Sequence, residues 1–318
     1  MKTVLLTGGT GLIGKRLVKN LIEKGYHIII LTRSIKNTQA TKETSFALWD
    51  VKKQTIDVSA IQKADYIIHL AGAGVVAKKW TAAYKKEIVE SRTQSSALLI
   101  NTLKNNTHQV KCIVSASAIG WYGEDKTAGH FFTEDEKPAD NFLGETCRLW
   151  EQSIEPAETL NIRVCKLRTG IVLSKDGGAM AEFLKPIKFG IAAILGNGKQ
   201  VVSWIHIDDL CRMYIAALDN NAMQGSYNAV APMTVTNKVL TLKLAQAVRE
   251  KNYIPMHVPE FVLKIIMGTR STEVLKSTTV SCAKIKATGF TFLYPSIDAA
   301  LKSLSPGPLS INGEGNLD

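Results

Sequence analysis

The chain has 318 residues, 45% of them hydrophobic and 21% charged, which suits one large globular domain or two intimate ones. Its net charge of +11 comes from lysines and arginines spread over many segments, without a basic helix or an aromatic-basic alternation; this argues against a nucleic-acid platform and for a solvated basic surface with some preference for anionic ligands. No apolar run approaches a membrane span, and the five cysteines and six histidines show no metal or disulfide spacing, so the expectation is a cytoplasmic protein with no membrane partner and no metal.

Lys2 to Leu6 (KTVLL) reads as a buried strand. TGGTGLIG (7–14) follows, then a helix with Leu12, Ile13, Leu17, Val18, Leu21 and Ile22 on one face, then a strand from His27 to Thr32. Strand, glycine turn, helix and strand form a βαβ unit. Its Gly9, Gly11 and Gly14 satisfy G-x-G-x-x-G in the context that motif needs. Gly8 and Gly9 turn the chain off the strand, Gly11 leaves room for a diphosphate, and Gly14 permits close packing. The helix start favours a phosphate through its exposed N–H groups and its dipole. NAD-preferring sites usually carry an acidic residue after the second strand, but here Thr32-Arg33-Ser34 stands in that place. A guanidinium matches a ribose 2′-phosphate in charge and geometry, so the expected cofactor is NADP(H).

Further along, Ser45–Trp49, Ala64–Leu70, Val110–Ser115 and Arg163–Leu167 read as strands, and Trp80–Leu103 and Phe142–Ile154 as helices. This alternation predicts an α/β fold, a doubly wound parallel sheet with helices on both faces. Asp176-Gly177-Gly178 and Leu195-Gly196-Asn197-Gly198 are turns, and Trp204–Leu210 leads into a helix running to about Asn220. The expected division is a dinucleotide-binding domain from 1–173 with 204–228, a smaller α+β substrate domain from 174–203 with 229–303, and a mobile tail at 304–318.

The blocks TGGTGLIG (7–14), HLAGAGV (69–75), SRTQSSALL (91–99), SASAIGWYG (115–123), LRTGIVLS (167–174), SWIHIDDL (203–210) and YNAVAP (227–232) resemble the extended short-chain dehydrogenase/reductase superfamily. Within it the chain looks like the atypical YfcH-like epimerase-family branch. VPEFVLKIIMG and GFTFLYPSIDAAL, within 258–301, resemble that branch's small C-terminal domain. The resemblance implies a diphosphate at Gly8, Gly11 and Gly14 with backbone contacts from Leu12 and Ile13, and adenine near Asp50. It implies that Leu70, Ala71 and Gly72 line the path between the riboses. Ser115 and Ser117 would lie beside the nicotinamide, with Thr169, Gly170 and Val172 on its carboxamide side. With Arg33 and Ser34 for the 2′-phosphate, these are the expected cofactor residues.

Members of this superfamily usually pair a Ser with a Tyr and a Lys four residues later; the Tyr handles the proton and the Lys lowers its pKa. Near Phe142 neither register offers that pair: Phe142/Thr146 and Leu143/Cys147 stand there instead. Ser117 and Tyr122 are the expected catalytic residues, Tyr122 as the substitute proton donor. A packed loop aromatic is the competing reading of Tyr122. Arg148 and Lys166 read as structural ion-pair partners, and His206 as a hydrogen-bonded structural histidine. Trp80, Trp121 and Trp204 fit either a pocket wall or the core. Two functions fit: an NADP-dependent oxidoreductase or epimerase-like enzyme acting on a small polar substrate such as a nucleotide sugar, or an NADPH-binding sensor without turnover. The expected assembly is a monomer or homodimer.

Overall fold

The computed structural model describes residues 1–36, 38–127 and 129–304. The expected tail therefore lies outside the described residues, apart from Leu304, which is buried at the end of the last helix. The first unit is β1 (Thr3–Thr7), α1 (Leu12–Glu23) and β2 (His27–Thr32). Then come β3 (Thr44–Asp50), β4 (Thr55–Ile56), α2 (Val58–Lys63), β5 (Tyr66–His69), α3 (Ala82–Asn105), β6 (Cys112–Ala118), α4 (Phe142–Ile154) and β7 (Arg163–Thr169). They are followed by β8 (Ile171–Ser174), β9 (Gly177–Gly178), α5 (Ala179–Lys188), β10 (Ile191–Leu195), β11 (Val201–Val202), β12 (Trp204–His206), α6 (Ile207–Asp219) and β13 (Gly225–Ala229). The last elements are β14 (Val235–Thr236), α7 (Asn237–Arg249), β15 (Ile254–Val258), α8 (Glu260–Met267), α9 (Ser271–Leu275), α10 (Ala283–Ala287) and α11 (Ile297–Leu304).

The main sheet has the order β13-β7-β6-β5-β1-β2-β3-β4 and is parallel except for the β3–β4 pair. The doubly wound α/β expectation holds. From β1 the chain winds outward through β2 and β3, then returns to the other side of β1 with β5. The strand order thus reverses between β1 and β5, where an open parallel sheet leaves a crevice at its carboxyl ends. Two strands run further than their apolar pattern suggests. β6 continues to Ala118 and β7 to Thr169, because Ala116, Ser117 and Ala118 pair with Leu167, Arg168 and Thr169. Ser115 consequently sits inside β6 and not at its end. The pattern also passes over α2, a short helix capped by the Asp57 side chain on Ser59 N.

Two apolar cores flank the main sheet. Leu17 and Leu21 of α1 and Leu210, Met213 and Tyr214 of α6 cover one face. Leu98, Leu99 and Leu103 of α3 cover the other, with Ile61 of α2. A third core gathers Met180, Ile187, Leu240, Leu244 and Leu301 around Trp204. Val280, Cys282 and Ile285, which the sequence places in the second unit, pack into the first core. Among the described residues no helix is long and apolar enough to cross a membrane.

Candidate functional site

The loop between β1 and α1 is shaped by its glycines. Gly8 has φ +70°, a left-handed conformation that side chains resist. A Cβ on Gly14 would lie 2.3 Å from Gly8 O and 2.6 Å from Gly9 Cα, so α1 starts in backbone contact with its own loop. On Gly11 a Cβ would meet only Gly8 O, at 3.3 Å; this glycine faces outward and is exposed. Gly11 is also the N-cap of α1 and offers no side-chain cap, whereas Asp57, Thr81, Asn141, His206 and Thr236 cap α2, α3, α4, α6 and α7. The N–H groups of the first turn, at Leu12 and Ile13, are therefore left to an outside acceptor. A cradle that a side chain would fill, open at an uncapped helix start, fits a dinucleotide diphosphate.

The β1 and β5 ends are tied together by a buried histidine. Thr7 Oγ1 accepts from Leu70 N and Ala71 N, both at 3.0 Å, so its own proton goes to His69 Nδ1 at 2.8 Å. His69 Nε2 then carries the ring proton and faces Ser96 Oγ at 3.2 Å and Ser95 Oγ at 3.3 Å on α3. Burial lowers the His69 pKa from 6.5 to about 4, so the ring is neutral. This tie holds Leu70 and Ala71 beside the glycine loop, with Gly72 exposed next to them.

Arg33 and Ser34 follow β2 and are both exposed; Ser34 N is held by Thr32 Oγ1 at 3.3 Å. No acidic side chain pairs with Arg33 among the described residues. Asp50 closes β3, and its Oδ1 accepts from Lys52 N and Lys53 N, which shapes the turn after it. Thr169 ends β7. Gly170 is a close-packing position, since a Cβ there would lie 2.6 Å from Ser203 O. Val172 lies on β8, partly buried against the first core.

Ser115, Ser117 and Tyr122 are turned inward, contrary to the expectation of hydroxyls facing a ligand. Ser115 is 1% exposed and its Oγ bonds to Ala116 O. Ser117 Oγ donates to Glu151 Oε1 at 2.7 Å. Arg168 meets the same carboxylate through Nε at 2.8 Å and Nη2 at 3.1 Å. Tyr122 is fully buried; its hydroxyl donates to Asn228 Oδ1 at 2.7 Å and accepts from Arg168 Nη1 at 3.0 Å. Burial pushes its phenol up to about 12, although Arg168 pulls the other way. Ser117 and Tyr122 are thus brought together through Arg168 and Glu151. The cause is register: Ser117, Arg168 and Asn228 are neighbours across β6, β7 and β13.

The other sequence candidates are structural. Arg148 pairs with Glu145, and Lys166 with Glu155 at 2.6 Å. His206 Nδ1 accepts from Asp208 N, its Nε2 meets Ser303 Oγ at 3.0 Å, and its ring stacks on Tyr294. Trp204 is core, and Trp121 stacks against the Arg168 guanidinium. Trp80 packs edge-on to Phe142, with centroids 5.0 Å apart. Sequence reasoning passed over His69 and Arg92. Both lie in quoted motifs, but their roles depend on contacts between segments distant in the chain.

Residues 4–230 match the model of the NAD dependent epimerase/dehydratase family, and residues 258–304 match a domain of unknown function, DUF1731. The chain is 36% identical over 306 residues to the epimerase family protein SSP1921 of Staphylococcus saprophyticus, covering 96% of this chain and 99% of that one. The crystal structure of human epimerase family protein SDR39U1 (isoform 2) with NADPH is similar at TM-score 0.82 and 26% identity, covering 95% of this chain and 99% of that one. A nucleoside-diphosphate sugar epimerase structure from Corynebacterium glutamicum is similar at TM-score 0.73 and 30% identity, covering 96% of this chain and 58% of that one.

Proposed function

The chain belongs to the NAD dependent epimerase/dehydratase family, and from that premise we propose that it is an NADP(H)-dependent oxidoreductase or epimerase-like enzyme of the extended short-chain dehydrogenase type. Its proposed substrate is small and polar, in the class of nucleotide sugars, held between the main sheet and the third core. The observation that carries this reading is an uncapped helix start after β1 together with an exposed arginine after the neighbouring β2. The uncapped α1 start takes the diphosphate, and the exposed Arg33, without an acidic partner among the described residues, takes the 2′-phosphate with Ser34. The NADPH in the human relative's structure supports it.

Gly8, Gly11 and Gly14 shape the diphosphate cradle, with N–H groups from Leu12 and Ile13. Asp50 stands at the adenine end. Leu70, Ala71 and Gly72 form the middle of the path, and Thr169, Gly170 and Val172 frame the nicotinamide end, while Ser115 is buried within β6. Bound there, the cofactor supplies hydride transfer. Ser117 and Tyr122 set the shape of the β6 end through Glu151 and Arg168, and Tyr122 moves a proton only if that network opens.

A second reading is a cofactor-binding sensor without turnover. The inward hydroxyls of Ser117 and Tyr122 favour it, as do Phe142/Thr146 and Leu143/Cys147 in place of a Tyr/Lys pair. Titration with NADPH and NADH, followed by cofactor absorbance against nucleotide sugars and carbonyl compounds, separates the two. Arg33→Ala should weaken NADPH by roughly 1.5–3 kcal/mol, the worth of a charge-assisted hydrogen bond, and leave NADH nearly unchanged. Equal losses for both cofactors would remove Arg33 from the 2′-phosphate. Tight NADPH binding with no turnover on any substrate would leave the sensor.

A further inference from the structure

Three cationic side chains are buried among the described residues: Arg92 at 7% exposure, Lys166 at 8% and Arg168 at 3%. Lys166 pairs with Glu155 and Arg168 with Glu151. Arg92, on α3, has no carboxylate partner among the described residues; burial lowers its pKa, against small opposing effects of the nearby Cys147 and Tyr84. Cys147 is no counter-ion, because burial pushes its thiol up to about 12. Arg92 Nη1 donates to Ala73 O at 3.0 Å and to Ile88 O at 2.8 Å, and its guanidinium lies 4.7 Å from the Trp150 ring centre. Carbonyls and a ring face soften the cost of burying a guanidinium but do not cancel its charge.

The position of this charge is specific. A Cβ on Gly72 would lie 3.1 Å from the guanidinium carbon and 3.3 Å from Nη1. Gly72 is exposed on the loop that leaves β5, at the crevice where the strand order reverses. On the α4 side stands Cys147, one of the two places where a lysine is missing. A Cβ on Gly120 would lie 3.6 Å from its sulfur, so Cys147 belongs to the end of β6. The uncompensated charge is thus held between the ends of β5 and β6.

We propose that Arg92 is the fixed cation of this site. It meets the nicotinamide-ribose half of the dinucleotide from beside Gly72, and its unpaired charge favours the reduced cofactor over the oxidised one. The inference rests on the dinucleotide reading above. The physical reason is simple: dihydronicotinamide is neutral and the oxidised ring is cationic, so a fixed positive charge nearby penalises only the second. Low dielectric around a buried guanidinium strengthens that penalty.

The test is a set of dissociation constants by calorimetry for NADPH, NADP+ and 2′,5′-ADP, which lacks the nicotinamide riboside. Wild-type protein should bind NADPH more tightly than NADP+. Arg92→Gln should lower that preference by about tenfold, the scale of one partly screened charge, while 2′,5′-ADP binds as before. Arg92→Lys should keep the preference. Arg92→Gln with an unchanged ratio, or with equal losses for all three ligands, would reduce Arg92 to a clamp on the 71–74 loop. Wild-type protein that binds NADP+ as tightly as NADPH overturns the inference whether or not Arg92→Gln folds. Wild-type protein that binds none of the three overturns the dinucleotide reading, and the inference with it.

Discussion

His69 joins three segments at one ring: β1 through Thr7, β5 through its own backbone and α3 through Ser95 and Ser96. Its folded pKa near 4 lies below the ordinary 6.5, so the unfolded chain takes up the proton first as pH falls. The stability associated with neutral His69 is therefore complete above pH 6.5 and is lost between pH 6.5 and pH 4, by roughly 3 kcal/mol in all. Urea unfolding of wild type and His69→Gln across that window should give a steeper fall for wild type. Parallel pH profiles would show that His69 does not titrate on unfolding. Residue-scale chemistry of this kind was partly legible. TGGTGLIG announces its cradle because all its parts are neighbours in the chain. HLAGAGV shows a strand and a glycine loop, but the tie at His69 needs Thr7 and α3, which lie far off in sequence. Arg92 was hidden for the same reason: a lone arginine in a helix reads as solvated until its burial is seen.

At the scale of elements, α4 was legible to its bounds, because Asn141 caps it and its buried residues recur at helical spacing. β6 was not. Its end, Ala116-Ser117-Ala118, carries no apolar alternation, and only pairing with β7 makes it a strand. That polar end is where β6, β7, β13 and α4 are fastened by one buried network. Glu151, at 3% exposure, accepts from Ser117, Arg168 and Ser226. Glu151→Gln leaves Arg168 without its counter-ion and should cost about 3–5 kcal/mol in folding stability. Tyr122→Phe strands Asn228 Oδ1 and one Arg168 donor and should cost about 1–3 kcal/mol, with NADPH affinity unchanged. Chemical denaturation and cofactor titration of both variants check this. A Tyr122→Phe protein as stable as wild type, but slower on a substrate, would instead place the phenol in the chemistry.

Over the whole molecule, the sequence suggests two units that alternate along the chain, 1–173 with 204–228 and 174–203 with 229–303, and contacts distant in sequence fasten them together. Phe132 bridges to Val280, and Asp125 holds Thr279 through both its N–H, at 2.7 Å, and its hydroxyl, at 2.6 Å. Within the second unit, Ser203 Oγ donates to Thr278 O and accepts from Val280 N, which fixes the same segment. Near the end of the chain, Asp209 of α6 accepts from Leu293 N and Tyr294 N. None of these contacts follows from local periodicity, because each joins segments more than 70 residues apart. Their consequence is cooperative. The 278–285 segment cannot leave without opening the first core, where Val280, Cys282 and Ile285 are buried. Thermal unfolding should therefore be a single transition. Tryptophan fluorescence, which samples Trp49 in the second core and Trp204 in the third, should coincide with far-UV circular dichroism. NADPH at a hundredfold excess over its dissociation constant should raise stability by about 2.7 kcal/mol and move both signals together. Separated transitions, with only one shifted by NADPH, would show that the dinucleotide-binding core folds apart from the third core, against the interleaved contacts.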